Sequence, residues 1–412
     1  MSHERIQSCR LCGWPSLTSV LDLGEMAFTG MFPKPGVEVP RGPLELLECD
    51  ACGLAQIAHA YSPEVLYGNS YGYRSGLNPS MVAHLKELAT EAWQIAKPER
   101  GDVVLDIGAN DGTLLGFFPS TVNRIAYDPL AEKYAKHYDR GIVRHAELFT
   151  EASVDVVGRD RASIVMTIAC FYDLPDPVGF ARAVWAILKD GGIWVIEIAT
   201  ADNIWNGAWD QICHEHQEFY GIEQLRDICD RAGFSVVNVF DDDVNGGSTR
   251  LIAAKESARE WYPSPFSESR AILPVRWAET RETIDRQCAA LKAYLEAEKK
   301  RGRIVWGYGA STKGNVVLQR AGIGPELLPC IVDANPDKDG CVTPGTGIPI
   351  VTEATSRWIG AGEPNAFLVL PWHFREFVIQ KEHTFLDTGG ELIFALPKLE
   401  VVTKDGVREV AA

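Results

Sequence analysis

Two stretches far apart in the chain repeat one local design. "DVVLDIGANDGTLLGFF" (102–118) and "RIVWGYGASTKGNVVLQ" (303–319) each pass from a short apolar run through closely spaced glycines into a helical pattern. A continuous apolar run suits a buried parallel strand, and glycines after it allow a tight turn. The open backbone N–H groups of the next helix start then face outward, towards a ligand. Two such units set the class as α/β, with two open sheets carrying helices on their faces. At 412 residues there is room for two or three domains, each with its own core.

Around the first unit the alternation continues. "MVAHLKELATEAWQIA" predicts a helix before it, and "RIAYDPL" a second strand ending at Asp128. An acidic residue there can accept both hydroxyls of a ribose. "RHAELFT" places Glu147 where a third strand would end, "ASIVMTIAC" reads as a fourth strand, and "VGFARAVWAILKD" as a helix leading to a fifth, "GGIWVIEIAT". The sum is a doubly wound sheet. Its "LDIGANDG" loop resembles that of the class I S-adenosylmethionine (SAM) methyltransferases and lacks the G-x-G-x-x-G of NAD-binding folds. That resemblance implies Asp106, Gly108 and Asn110 near the amino-acid end of SAM, Asp128 on its ribose, and Glu147, Leu148 and Phe149 around its adenine.

The second unit is preceded by "ETIDRQCAALKAYLEAEKKRG", whose Ile284, Cys288, Leu291 and Leu295 form a core-facing helical stripe. At its own helix start Ser311, Thr312 and Lys313 gather beside Gly307 and Gly309. Hydroxyls, an ammonium and open N–H groups suit a phosphate, although the Walker spacing is missing. A purely architectural domain would show the same periodicity. "LPCIVDANPDKDG", "AFLVLPWHF" and "ELIFALP" supply later strands of this sheet.

Upstream of both, Cys9 and Cys12 in "CRLCG" and Cys49 and Cys52 in "CDACG" form two C-x2-C knuckles. Each pair can turn two thiolates to one point, and four sulfurs close a tetrahedral zinc site with no open position. This zinc is expected to be structural. The segment between the knuckles is long enough for a small sheet. The other six cysteines are scattered, which suits a reducing cytoplasm better than a disulfide framework. A net charge of −16 argues against nucleic acid as a partner, because phosphate binding needs a basic face. No apolar run is long enough to span a membrane, and "MSHERIQSCR" has no secretory pattern. A cytoplasmic enzyme is expected. The domains fall at 1–75 (zinc-binding module), 76–255 (methyltransferase domain), 256–300 (helical connector) and 301–412 (C-terminal Rossmann-like domain). Oligomeric state is not legible.

"DQICHEHQEFYG" (210–221) sets two histidines, a glutamate and a cysteine side by side. By itself it has three readings: a metal site through His214 and His216, proton-transfer machinery, or a polar start to a helix. A metal would need more ligands than this pair offers.

Knuckles, "LDLG" (21–24), methyltransferase core, "HEH" and "GYGASTKGN" occur here in one order. Almost end to end the chain resembles the SAM-dependent C-methyltransferases that act on nucleotide-linked keto-deoxysugars. The resemblance implies that His216 removes the proton at C-3, beside the C-4 ketone, with Glu215 orienting it, and that His214 belongs to the same catalytic stretch. It implies a tyrosine-rich turn over the active site, matching Tyr71 and Tyr73 in "NSYGYRSG", and a substrate-binding glycine pair after Asn245. It also implies a nucleotide-sugar held towards Ser311, Thr312 and Lys313. Each local pattern has a plainer reading: "YGYRSG" as a packed aromatic turn, "DVNGGSTR" as a turn before a strand.

The chain departs from one branch of that family in several places. Cys213 stands for a tyrosine, His214 for an acidic residue, Phe171 and Tyr172 for a histidine after the fourth strand, and Asn245 for another histidine. If those groups hold the ketone elsewhere, this chain uses others, with Tyr172 a candidate. The expected activity is C-methylation through an enolate. The alternatives are O- or N-methylation of a sugar nucleotide, or a non-catalytic module that binds SAM or a nucleotide sugar.

Overall fold

The computed structural model describes residues 3–68, 71–255, 277–354 and 362–410. Each N-terminal knuckle closes through a glycine with positive φ. Gly13 N–H bonds Cys9 O and Gly53 N–H bonds Cys49 O, both at 2.9 Å. Between the knuckles, Leu17–Ala27 pairs antiparallel with Arg41–Cys49, and Ala55–Ile57 adds a third strand. The fourth strand, Glu218–Phe219, comes from a distant part of the chain and sets Glu218 opposite Gln56. The chain just after "HEH" is therefore hydrogen-bonded into the zinc module.

The middle sheet follows from its apolar runs. All five residues of Val103–Ile107 are buried, as is most of Ala162–Ile168. The strand order is Phe234–Asp242, Ser248–Lys255, Leu188–Ile198, Ala162–Ile168, Val103–Ile107, Asn123–Tyr127, Ile142–His145. The last five of these are parallel, and Ser248–Lys255 runs antiparallel to both its neighbours. The order switches between Val103–Ile107 and Ala162–Ile168, which opens a crevice at the carboxyl ends of these strands. Helix Pro79–Ala96 covers one face with Met81, Leu85, Leu88 and Ala92, an i, i+4, i+7, i+11 stripe. Asn78 caps it, accepting Ser80 N–H at 2.9 Å.

Helix Trp277–Lys300 buries Ile284, Cys288, Leu291 and Leu295, as the stripe predicts. The first part of the expected connector, 256–276, lies outside the described residues. The C-terminal sheet runs Ile350–Thr352, Ile331–Asp333, Val305–Tyr308, Ala366–Val369, Glu391–Phe394, then two antiparallel strands, Glu400–Thr403 and Gly406–Glu409. Its first five strands are parallel, with the switch between Val305–Tyr308 and Ala366–Val369. The glycine turns of both domains thus sit at the carboxyl ends of parallel strands. Among the described residues, no helix is long and apolar enough to cross a membrane.

Candidate active site

The four knuckle thiols converge. Their Sγ atoms all lie within 4.8 Å of one another, with Cys9–Cys52 at 3.6 Å and Cys12–Cys49 at 3.5 Å. Tetrahedral zinc with Zn–S bonds near 2.3 Å separates its sulfurs by about 3.8 Å, so Cys9, Cys12, Cys49 and Cys52 fit that ion and leave no position for a substrate.

The glycine loop of the middle domain follows the SAM pattern. Gly108 has φ +78, and a Cβ there would meet Cys170 Sγ at 2.8 Å, so only glycine fits. Asp128 accepts Asn110 N–H at 2.8 Å and Leu130 N–H at 2.6 Å, which locks the loop to the second strand. Burial pushes the Asp106 carboxyl well up, and the neighbouring Asp128 and Asp111 carboxylates add to that. Among the described residues, Asp111 alone of the three pairs with a cation, Arg74 at 3.4 Å. Three gathered carboxylates with one paired cation suit a ligand that brings its own positive charge, as the ammonium and sulfonium of SAM do. Of the three expected adenine neighbours, Glu147 and Leu148 are exposed, while Phe149 turns into the core against Tyr127 and Phe180.

The tyrosine turn packs on this loop. Ser75 N–H bonds Asn110 Oδ1 at 3.0 Å, Gly76 N–H bonds Asp111 Oδ2 at 2.9 Å, and Asn110 Nδ2 donates to Tyr73 O at 3.2 Å. On its other side lies a cavity of about 530 Å³ bounded by the turn, the middle domain and the C-terminal domain. Tyr71, Tyr73, Tyr172, Glu215, His216, Asn245, Ser311, Thr312 and Lys313 all line it. The fold therefore brings nine of the expected residues, from the zinc module and both Rossmann-like domains, to one space.

His216 packs against Tyr172 with ring centroids 4.0 Å apart and planes tilted by 44°. Burial, then the charge of Lys313, pushes its pKa down to about 3, while a hydrogen bond to the Gln211 backbone opposes them. The imidazole is neutral, and a neutral ring keeps one nitrogen lone pair that can take a proton. Burial pushes Glu215 up, opposed by hydrogen bonds from Cys213, Gly30 and Thr29. Gly30 N–H donates to Glu215 Oε1 at 2.8 Å, so the zinc module fixes this carboxyl. Burial also holds the Tyr172 hydroxyl well above its ordinary pKa, which keeps it a donor.

His214 is the correction. It does not line the cavity. Its ring packs between Phe28 and Tyr61, and Nε2 lies 3.1 Å from Gly42 O. Cys213 and Glu215 face the cavity while the residue between them turns into the zinc module, which removes His214 from both the catalytic and the metal reading. Ser311 also has a local task, since its Oγ accepts Gly314 N–H at 2.9 Å as the helix cap. Lys313 reaches away from that helix start and donates to Asn245 O at 2.8 Å.

Several cavity residues escaped the sequence reading. Asp173 is half-buried, accepts Tyr67 OH at 2.7 Å and has a buried Oδ1 without a partner. Glu197 is held by Arg250 at 3.0 Å and His84 at 2.5 Å. Lys338 Nζ lies 3.6 Å from Asp333, and His373 follows the fourth strand of the C-terminal sheet. Glu197 sits at the carboxyl end of its strand and the others follow strand ends, which was a usable signal.

Three family models match in order: "Putative zinc binding domain" at 9–67, "Methyltransferase domain" at 77–239 and "C-methyltransferase C-terminal domain" at 243–397. The last begins before strand Ser248–Lys255, which completes the middle sheet. The C-methyltransferase NovU of Streptomyces niveus is 28% identical over 97% of this chain and 98% of its own. Among solved structures, the CurJ carbon methyltransferase is similar at TM-score 0.36 and 17% identity, over 44% of this chain and 57% of that one. The 1,6-didemethyltoxoflavin-N1-methyltransferase of Burkholderia thailandensis gives 0.32 and 17%, over 42% and 79%. With its clustered cysteines and methyltransferase loop, the chain joins a zinc-binding domain, a methyltransferase domain and a C-methyltransferase C-terminal domain in this order, the make-up of a SAM-dependent C-methyltransferase.

Proposed function

We propose that this C-methyltransferase adds its methyl group to C-3 of a nucleotide-linked 4-keto-deoxysugar, by way of an enolate. The observation that carries the reading is a neutral histidine in a cavity shared by two nucleotide-type folds. Carbon bearing a hydroxyl is not nucleophilic, whereas the carbon beside a ketone becomes so once a base removes its proton. His216 is that base, with its lone pair free at neutral pH. Glu215, fixed from Gly30 and Thr29, stands beside the histidine in the chain and supports its cation. The Tyr172 hydroxyl, on a ring that packs against His216, donates to the ketone in this reading. Tyr71 and Tyr73 close the mouth, and the nucleotide extends towards Asn245, Ser311 and Thr312. SAM, held by Asp106, Gly108, Asn110 and Asp128, supplies an electrophilic methyl group and leaves as S-adenosylhomocysteine. A reducing compartment such as the cytoplasm suits the zinc-ligating thiolates.

The test is hydrogen exchange. Protein in D2O is incubated with a panel of nucleoside-diphosphate 4-keto-6-deoxysugars, then given SAM, and masses are recorded. Uptake of one deuterium beside the ketone, followed by a methyl gain, is expected from one substrate. His216→Asn abolishes both while SAM affinity stays within about threefold. Methyl gain with no need for a ketone would point instead to O- or N-methylation. Silence across the panel, with SAM still bound, would favour a non-catalytic module.

A further inference from the structure

Lys313 stands in the wrong place for a phosphate ligand and in the right place for another task. The helix that it opens, Thr312–Ala321, has its first N–H groups served by Ser311, and the lysine leaves that end to reach across to the middle domain. One of the three N–H bonds of its ammonium goes to Asn245 O, which leaves two for the occupant of the cavity. Asn245 can offer its carbonyl because its backbone is left-handed, φ 58, in a turn whose next residue, Gly246, lies against Trp372 and His373. Trp372 in turn donates to Asp210 Oδ2 at 2.7 Å, and the other oxygen of Asp210 is buried without a partner. The charges of Asp210 and Cys213 act on the ammonium, and the charge of Lys313 in turn acts on His216 and His373, which line the same cavity. Lys313 and His216 line the same cavity, so a phosphate held by the ammonium would compete with the sugar for space near the base.

Removing a proton beside a ketone moves negative charge to the ketone oxygen, two bonds away from the carbon that loses the proton. A donor for that oxygen must therefore stand in the same corner as the base. We propose that Lys313 is the cationic partner of the enolate oxygen, a catalytic residue supplied by the C-terminal domain to chemistry run from the middle domain. The inference rests on the keto-sugar reading above. His216 takes the proton from C-3, the C–H electron pair becomes the C-3–C-4 π bond, and the carbonyl π pair moves to oxygen, where the ammonium holds it. Methyl transfer to C-3 then restores the carbonyl, and His216 keeps the proton until product leaves. The ammonium stays protonated throughout.

The experiment compares wild type with Lys313→Met, using the panel member that exchanges with the wild type. Expected are a 10²–10³-fold loss of both C-3 deuterium exchange and kcat, the size typical of a lost oxyanion donor, with substrate Kd and SAM Kd each within threefold. To keep the buried charges balanced, Lys313→Met/Asp210→Asn removes both together, and it is expected to show the same loss with an unchanged melting temperature. A tenfold or greater weakening of substrate and of its free nucleoside diphosphate, with exchange intact, would overturn the proposal in favour of a phosphate role. So would wild-type exchange in either variant, or the full loss appearing in Tyr172→Phe and not in Lys313→Met. If the wild type itself exchanges no panel member, the keto-sugar reading fails and not the assignment of Lys313 alone.

Discussion

Gly30 carries a sharp test of how the site is held. Its N–H donates to Glu215 Oε1 at 2.8 Å, and a Cβ built on it would lie 2.3 Å from that oxygen and 3.1 Å from the Tyr71 ring. In Gly30→Ala the carboxyl must retreat by roughly 1 Å to reach ordinary contact. Overpacking of this kind costs about 1–3 kcal/mol, and losing the hydrogen bond adds about 1 kcal/mol. The melting temperature should fall by several degrees without loss of the fold. Activity should suffer more, because a 1 Å displacement beside a reacting group costs about 10²-fold in rate. The assay is kcat with the exchanging substrate, together with SAM affinity, which should stay within threefold because Asp106 and Asp128 lie elsewhere in the middle domain. Glu215→Asp shortens the side chain by one carbon–carbon bond, so Gly30→Ala/Glu215→Asp should recover part of the loss. Gly30→Ala turning over at the wild-type rate would refute the idea that the zinc module sets the catalytic carboxyl.

Three further outcomes are expected. Metal analysis of protein purified without chelator should give one zinc per chain, and Cys49→Ser should lose the metal and the activity together. The reason is that Ile57 N–H bonds Gln217 O and Arg10 pairs with Glu218 at 3.5 Å, which ties the knuckles to the chain beside His216. Asp128→Asn should weaken SAM by tenfold or more in calorimetry, since it disturbs the acceptor that holds Asn110 and the loop. Burial of His214 lowers its pKa from about 6.5 to about 4, so the unfolded chain binds more protons between these values. Stability is then fully present above pH 6.5 and falls with pH down to about 4, by roughly 3 kcal/mol. His214→Phe should flatten that part of the melting-temperature profile, and an unchanged slope would show that other groups govern acid unfolding.

What the chain announces locally was legible in its sequence. C-x2-C knuckles with glycine turns, apolar runs ending in glycine loops and the 284–295 stripe depend on residues close in sequence, and their spacing encodes the geometry. The same holds for the acidic residue after each second strand, Asp128 and Asp333, whose carboxylates bind the N–H groups of the preceding glycine loops.

Direction and partnership were decided by tertiary structure. In "CHEH" all four residues have the chemistry for a site, but pairing of the following strand with Ala55–Ile57 sends His214 into an aromatic pocket and leaves Cys213, Glu215 and His216 on the cavity. Glu215 is set by residues about 185 positions away, and Lys313 answers to Asn245 across a domain boundary rather than to its own helix. A sequence pattern carries periodicity and spacing along the chain. It does not carry which faces meet, and the shift of a buried group depends on which faces meet, because desolvation and neighbouring charge are properties of the assembled interior.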